Sequence, residues 1–144
     1  MPAHRETKEL PYSAAQMYAL VADVGSYPAF LPWVVGTRIR QDSEAEMLAD
    51  VLVGFKGLRE QFSSRVVKVQ NQSIDIDYLD GPLKQLHNEW RFRDNPAGGS
   101  EIEFYVEFTF KNRVFETLAG KMFSKALHKM TSAFVARADK IYAA

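Results

Sequence analysis

The chain has 144 residues, 47% of them hydrophobic, with 18 lysines and arginines against 18 aspartates and glutamates. That length suffices for one domain with a sizeable core, and the balanced charge gives no sign of DNA as a partner. With no cysteine present, disulfides, thiolate metal sites and a thiol nucleophile are excluded.

The opening residues, MPAHRETKEL, lack the apolar stretch of a secretory signal. No run approaches the roughly 18 apolar residues of a membrane span, so a soluble, cytoplasmic protein is expected. Residues 3 to 10 read as a short, mostly polar strand ended by Pro11. Ser13 and Gln16 stand at capping-box spacing. They open a helix running to about Asp23, with Met17, Leu20, Val21 and Val24 at helical intervals. "SYPAFLPWV" follows at 26 to 34. Pro28 and Pro32 forbid a regular helix or a central strand there. Yet the segment carries Tyr27, Phe30, Leu31 and Trp33 where a loop is usually polar. Two readings stand: a plug in the core, or an exposed apolar lip that gates a binding site and meets a membrane.

From about residue 35 to 111 the period changes to two. "EMLADVLVGF" ends at Phe55, with Gly54 and Gly57 predicting a bulge or bend near its end. "EQFSSRVVKV" leads to a tight connection at Asn71-Gln72. "SIDIDYL" sets Ile74, Ile76 and Tyr78 against Ser73, Asp75 and Asp77. Asp80-Gly81-Pro82 is a turn, since glycine permits positive φ and proline fixes its own. The next strand places Leu86, Asn88, Trp90 and Phe92 inward, and Lys84 too if the register holds across the turn. His87, Glu89, Arg91 and Arg93 then point outward. After the loop "NPAGGS", the strand "EIEFYVEFTF" has Ile102, Phe104, Val106, Phe108 and Phe110 on its dry side.

From Arg113 to Tyr142 no proline occurs, and Met122, Ala126 and Met130 step at helical intervals beside Phe123, Leu127 and Phe134. At 1.5 Å per residue such a helix is about 45 Å long. Connections of hairpin length imply antiparallel neighbours, and the helix must bury its stripe on the dry face. The prediction is α+β: a curved antiparallel sheet of about six or seven strands wrapped around a long C-terminal helix, with residues 1–144 forming one domain.

The inward aromatic and methionine side chains either fill the core or line a cavity between sheet and helix. Asn88, among apolar neighbours, needs a hydrogen-bond partner, which is either buried backbone or a ligand carbonyl. Lys84 is placed to snorkel to the cavity mouth. His4, His87 and His128 show no metal-binding spacing, and His87 reads as a surface residue. Asp75 and Asp77 read as a solvated edge, so no acid–base pair stands out.

Four segments carry a family resemblance: "VADVGSYPAFLPWV", "GFKGLREQFSSRV", "DGPLKQLHNEWRF" and "VEFTFKNRVFETLAGKMF", followed by "AFVARADKIY". In order and nearly end to end, they resemble the coenzyme Q-binding START-like proteins. Bacterial members of that family are also labelled ribosome-association toxins or polyketide cyclase-like proteins. The resemblance implies the helix-grip fold and a non-catalytic carrier or chaperone of ubiquinone, or a related polyprenyl lipid, that supports respiratory electron transfer. Ubiquinone is then a bound ligand, with no cofactor, and peripheral contact with the inner face of the respiratory membrane is compatible. Segment Tyr27 to Trp33 and the "DGPLK" turn with Lys84 carry over as family hallmarks. The candidate lipid-binding residues are Tyr27, Phe30, Leu31, Trp33 and Phe55; Lys84, Asn88, Trp90 and Phe92; Phe104, Val106 and Phe108; and Met122, Phe123 and Met130. Val34 stands where the family often has cysteine, and Leu83 where it often has phenylalanine, so no role resting on a thiol applies. The alternative partner is the large ribosomal subunit, met by Arg38, Arg40, Arg59, Arg65, Lys121, Lys125 and Lys129. A cyclase or aromatase in the same cavity is a third reading.

Overall fold

The computed structural model describes residues 3–55 and 58–143; the side chains of Phe55, Leu58, Phe115, Leu118, Ala119, Met122 and Phe123 are also outside the described set. Strand β1 (Ala3–Leu10) is followed by helix α1 (Ala14–Ala22) and a 3-10 turn (Val24–Ala29). Six strands come next: β2 (Val34–Asp42), β3 (Glu46–Phe55), β4 (Leu58–Val69), β5 (Ser73–Asp80), β6 (Leu83–Asp94) and β7 (Ser100–Phe110). Helix α2 (Arg113–Tyr142) ends the fold. The strands form one seven-stranded sheet in the order β1-β7-β6-β5-β4-β3-β2, each neighbouring pair antiparallel. This is the predicted helix-grip architecture. No described helix is long and apolar enough to cross a membrane.

Local chemistry sets the boundaries. The Ser13 and Gln16 side chains cap each other's backbone N–H groups at 3.1 and 2.9 Å, completing the capping box at the start of α1. Asp94 Oδ1 accepts a further bond from Ala14 N at 2.8 Å, tying α1 to the end of β6. Asn71 adopts φ 62° in the tight β4–β5 connection, a conformation asparagine tolerates. Gly81 takes φ 150° between β5 and β6. A Cβ there would lie 2.7 Å from the Tyr78 hydroxyl, which itself accepts Leu83 N at 2.8 Å. The turn therefore needs glycine.

Two expectations about the sheet are corrected. The β3–β4 ladder runs through Gly54 without a register shift, and Gly57 lies outside the described residues. The irregularities fall instead in β2, between Val34 and Gly36 and between Ile39 and Gln41. The second correction concerns Lys84. The β6–β7 register slips between Leu83 and Gln85, and an extra residue in a ladder reverses side-chain parity. Leu83 is buried and Lys84 exposed, so Lys84 does not face the interior.

Across the strands, side chains align in rows. His4, Val106, Asn88, Ile76, Val66 and Met47 form one inward row by register. Arg5, Tyr105, Glu89 and Asp75 form an outward one. The core lies between the inward rows, α1 and the C-terminal part of α2, where Phe134 is 2% exposed and Ala138 fully buried.

Candidate functional site

Between the sheet and α2 lies a cavity of about 160 Å³. The sheet contributes Val51 and Val53 from β3, Phe62 from β4 and Ile76 from β5, then Leu86, Asn88 and Trp90 from β6 and Phe104 and Val106 from β7. Ala126, Leu127, Met130 and Phe134 of α2 form the facing wall, with Tyr27, Leu31, Trp33 and Val34 beside them. A dry hollow of about 150 Å³ lined by aliphatic and aromatic groups takes a benzene-sized guest, so this one has room for a ring or a short branched chain.

The wall is held by aromatic packing. Trp90 meets Phe104 at 4.7 Å and Phe134 at 5.1 Å between ring centroids. Phe134 in turn meets Phe30 at 5.1 Å and Tyr27 at 5.4 Å, both edge-on, the geometry that aromatic quadrupoles favour. Tyr27 donates its hydroxyl to the Val21 carbonyl, and burial, then the nearby Asp23 charge, pushes its phenol well above the ordinary value. Asn88 Nδ2 donates to the Tyr105 carbonyl at 2.8 Å, and Trp90 Nε1 donates to Asn88 Oδ1 at 3.1 Å. Buried backbone thus supplies one partner for this amide, as the first of the two readings held, and an indole supplies the other.

Of the sequence-nominated residues, Tyr27, Leu31, Trp33, Asn88, Trp90, Phe104, Val106 and Met130 line the cavity. Four do not. Phe30 packs behind the wall with Arg137 stacked 5.4 Å over its ring. Phe92 lies beneath Tyr18 of α1, Phe108 packs on Phe110, and Lys84 is outside. Phe55, Met122 and Phe123 fall among side chains outside the described residues. The segment at 26 to 34 is also not an exposed greasy lip. Leu31 and Val34 are buried and Trp33 is 9% exposed, while Pro28, Ala29 and Pro32 face outward. The 3-10 turn makes this possible, with Tyr27 O accepting both Phe30 N and Leu31 N so that the apolar side chains fold under.

Val34, Val51, Val53, Phe62, Ile76, Leu86, Ala126, Leu127 and Phe134 were missed as lining residues, although alternation had set Ile76 and Leu86 inward and the spacing had put Ala126, Leu127 and Phe134 on the helix stripe. Sequence reasoning also left the histidines scattered, yet His4 and His128 meet at 4.4 Å between ring centroids. His4 Nε2 and Thr131 Oγ1 lie 3.1 and 2.7 Å from Glu6 Oε2. Burial raises the Glu6 pKa, but these bonds and the Lys8 and His4 charges outweigh it and hold the carboxyl below its ordinary value. On the outer face, ligand atoms of Asp75, His87 and Glu89 come within 4.8 Å of one another. They are already engaged: Arg91 bonds Asp75 and Glu89 at 2.7 and 2.8 Å, and His87 lies 2.9 Å from both Asp77 and Glu89. Asp75 and Asp77 face outward as expected, with Asp77 exposed, and their charges are tied into an ion-pair lattice.

Residues 10–135 match the family described as polyketide cyclase / dehydrase and lipid transport. The chain is 40% identical over 144 residues to the Escherichia coli (strain K12) ribosome association toxin RatA, spanning 100% of this chain and 91% of that protein. It is 30% identical over 143 residues to the Xenopus laevis mitochondrial coenzyme Q-binding protein COQ10 homolog B, spanning 96% of this chain and 59% of that protein. A START superfamily protein from Mycobacterium smegmatis shares the fold with a TM-score of 0.80 at 16% identity, over 96% of this chain and 98% of that one. Its curved sheet closed on a long helix has the fold of that START superfamily protein, and with its match over residues 10–135 the chain belongs to the polyketide cyclase / dehydrase and lipid transport family.

Proposed function

We propose that this protein is a non-catalytic carrier or chaperone for an apolar lipid of the polyprenyl quinone class, ubiquinone among them. The observation that carries this reading is the cavity of about 160 Å³, whose described lining is aliphatic and aromatic except for the Asn88 amide and the polar tips of Tyr27, Trp33 and Trp90. No carboxylate, imidazole or amine stands in that described lining, which favours holding a ligand over acid–base turnover. Each five-carbon isoprene unit gains very roughly 3–4 kcal/mol on leaving water. A hollow of this size takes a head group or about one such unit, so a long tail stays in the bilayer or the grip widens. The resemblance to a coenzyme Q-binding relative supports the quinone class.

Organic extraction of the purified protein, read by mass spectrometry, tests this. The wild type should release a quinone in near-stoichiometric amount. Ala126→Phe, which fills the hollow from α2, should release at least tenfold less with its circular dichroism unchanged. No quinone from the wild type, or equal yields from both proteins, would count against the carrier.

A second reading, association with the large ribosomal subunit, is favoured by a separate observation. Lys121, Lys125 and Lys129 are exposed at successive i, i+4 positions of α2, with no ion pair among the described residues. Such a stripe is suited to phosphate contact.

A further inference from the structure

Asn88 is buried to 7% exposure and lines the cavity, and the chemistry of its two neighbours fixes which way its amide faces. An indole N–H only donates, so the atom 3.1 Å from Trp90 Nε1 is the amide oxygen; the Tyr105 carbonyl only accepts, so the atom 2.8 Å from it is the amide nitrogen. Both neighbours demand the same orientation. The nitrogen carries two protons, and Tyr105 takes one. The second has no partner among the described residues. The Trp33 indole N–H is likewise without a described partner, while the Tyr27 proton is spent on Val21. The spare polar hydrogens of the described lining are therefore neutral donors. Among the described residues no cation accompanies them: Lys84 is outside the cavity, and Arg137 lies over Phe30 rather than in the wall.

We propose that this cavity selects an uncharged lipid bearing a hydrogen-bond-accepting carbonyl, and that Asn88, oriented by Trp90 and Tyr105, is the residue that sets this preference. The inference rests on the carrier reading and narrows its ligand class. A carboxylate of the same bulk would enter without a counter-charge, which a dry site penalises heavily. A hydrocarbon would leave the Asn88 proton unpaired, whereas a quinone or other ketone pairs it. Trp90 acts here as a positioning residue, because without its N–H the amide orientation is held by the Tyr105 carbonyl alone and the amide oxygen loses its donor.

The test is a titration of the full chain, followed by tryptophan fluorescence, with three probes of similar size. These are a ubiquinone analogue with a single isoprene unit, a medium-chain fatty acid above its pKa, and an alkenylbenzene. The wild type should bind the quinone at least tenfold more tightly than either other probe. Asn88→Leu should bring the quinone down to the hydrocarbon's affinity while leaving the hydrocarbon unchanged or tighter. Trp90→Phe should narrow the quinone-to-hydrocarbon ratio several-fold. In the ¹⁵N-labelled wild type, the Asn88 side-chain amide resonances should move on adding the quinone and stay put with the hydrocarbon, a readout that needs no variant to fold. Equal wild-type affinity for all three probes, or unmoved Asn88 resonances in the quinone complex, overturns the assignment to Asn88 and leaves the cavity as an unselective carrier. Failure of every probe to bind overturns the carrier reading itself, and this inference with it.

Discussion

His87 holds two carboxylates at once, Asp77 on Nδ1 and Glu89 on Nε2, each at 2.9 Å. Burial pulls its pKa down, but the two hydrogen bonds and both negative charges outweigh that and raise it above 6.5. The folded state therefore binds the proton more tightly than the unfolded chain does. The resulting stabilisation is full below about pH 6.5 and fades as pH climbs through the raised folded value. His87→Gln removes the titration. Thermal unfolding from pH 6 to 8 should show the wild type losing ground relative to this variant, and parallel curves would contradict the pairing. Asn88 is the opposite case, a neutral group whose worth depends on orientation. Its inward parity was legible in the alternation of "LHNEWRFRD", but its partnership with Trp90 two residues on was not, because such a bond depends on rotamers rather than period.

At the scale of elements, β7 and α2 were legible because their apolar spacing runs unbroken, and α2 spans the Arg113 to Tyr142 stretch that the helical spacing marked. Lys84 was misplaced because a register slip at a strand start leaves no mark in residue type. The segment at 26 to 34 was ambiguous for a related reason: without a period, composition tells that a loop is apolar and not which way it folds. Val51, Val53 and Phe62 show a third limit, since parity tells inside from outside and not core from cavity wall. Phe134 shows what joins these elements. It touches the rings of Trp90 on β6 and of Tyr27 and Phe30 around the 3-10 turn, and is 2% exposed. Phe134→Ala should cost about 3–5 kcal/mol in urea unfolding. A loss below about 1 kcal/mol would mean that the wall closes without it.

Over the whole molecule, a neutral total conceals opposed faces. The outer surface of β1, β7, β6 and β5 carries Asp75, Asp77, Glu89, Glu101, Glu103 and Glu107 against Arg5, Arg91 and Arg93. The exposed stripe of α2 carries Lys121, Lys125 and Lys129. If ribosomal RNA is met at all, the helix should meet it and the sheet should not. Replacing the three lysines with glutamate should abolish co-sedimentation with large ribosomal subunits, whose wild-type binding should weaken steeply as salt rises. Unchanged co-sedimentation would remove α2 from that interface.

The pairing of β1 with β7 joins Ala3 to Glu107 and Leu10 to Ser100, while β2 to β7 each pair with the strand just before or after them in the chain. Of these seven strands, the one synthesised first is thus the last to find its neighbour. The meander can zip progressively behind the emerging chain, whereas residues 3–10 must wait unpaired for roughly a hundred more to be made. At translation speeds of about 5–20 residues per second, that wait lasts several seconds or more, and the polar character of "AHRETKEL" suits a segment that has to pass it without sticking to anything else.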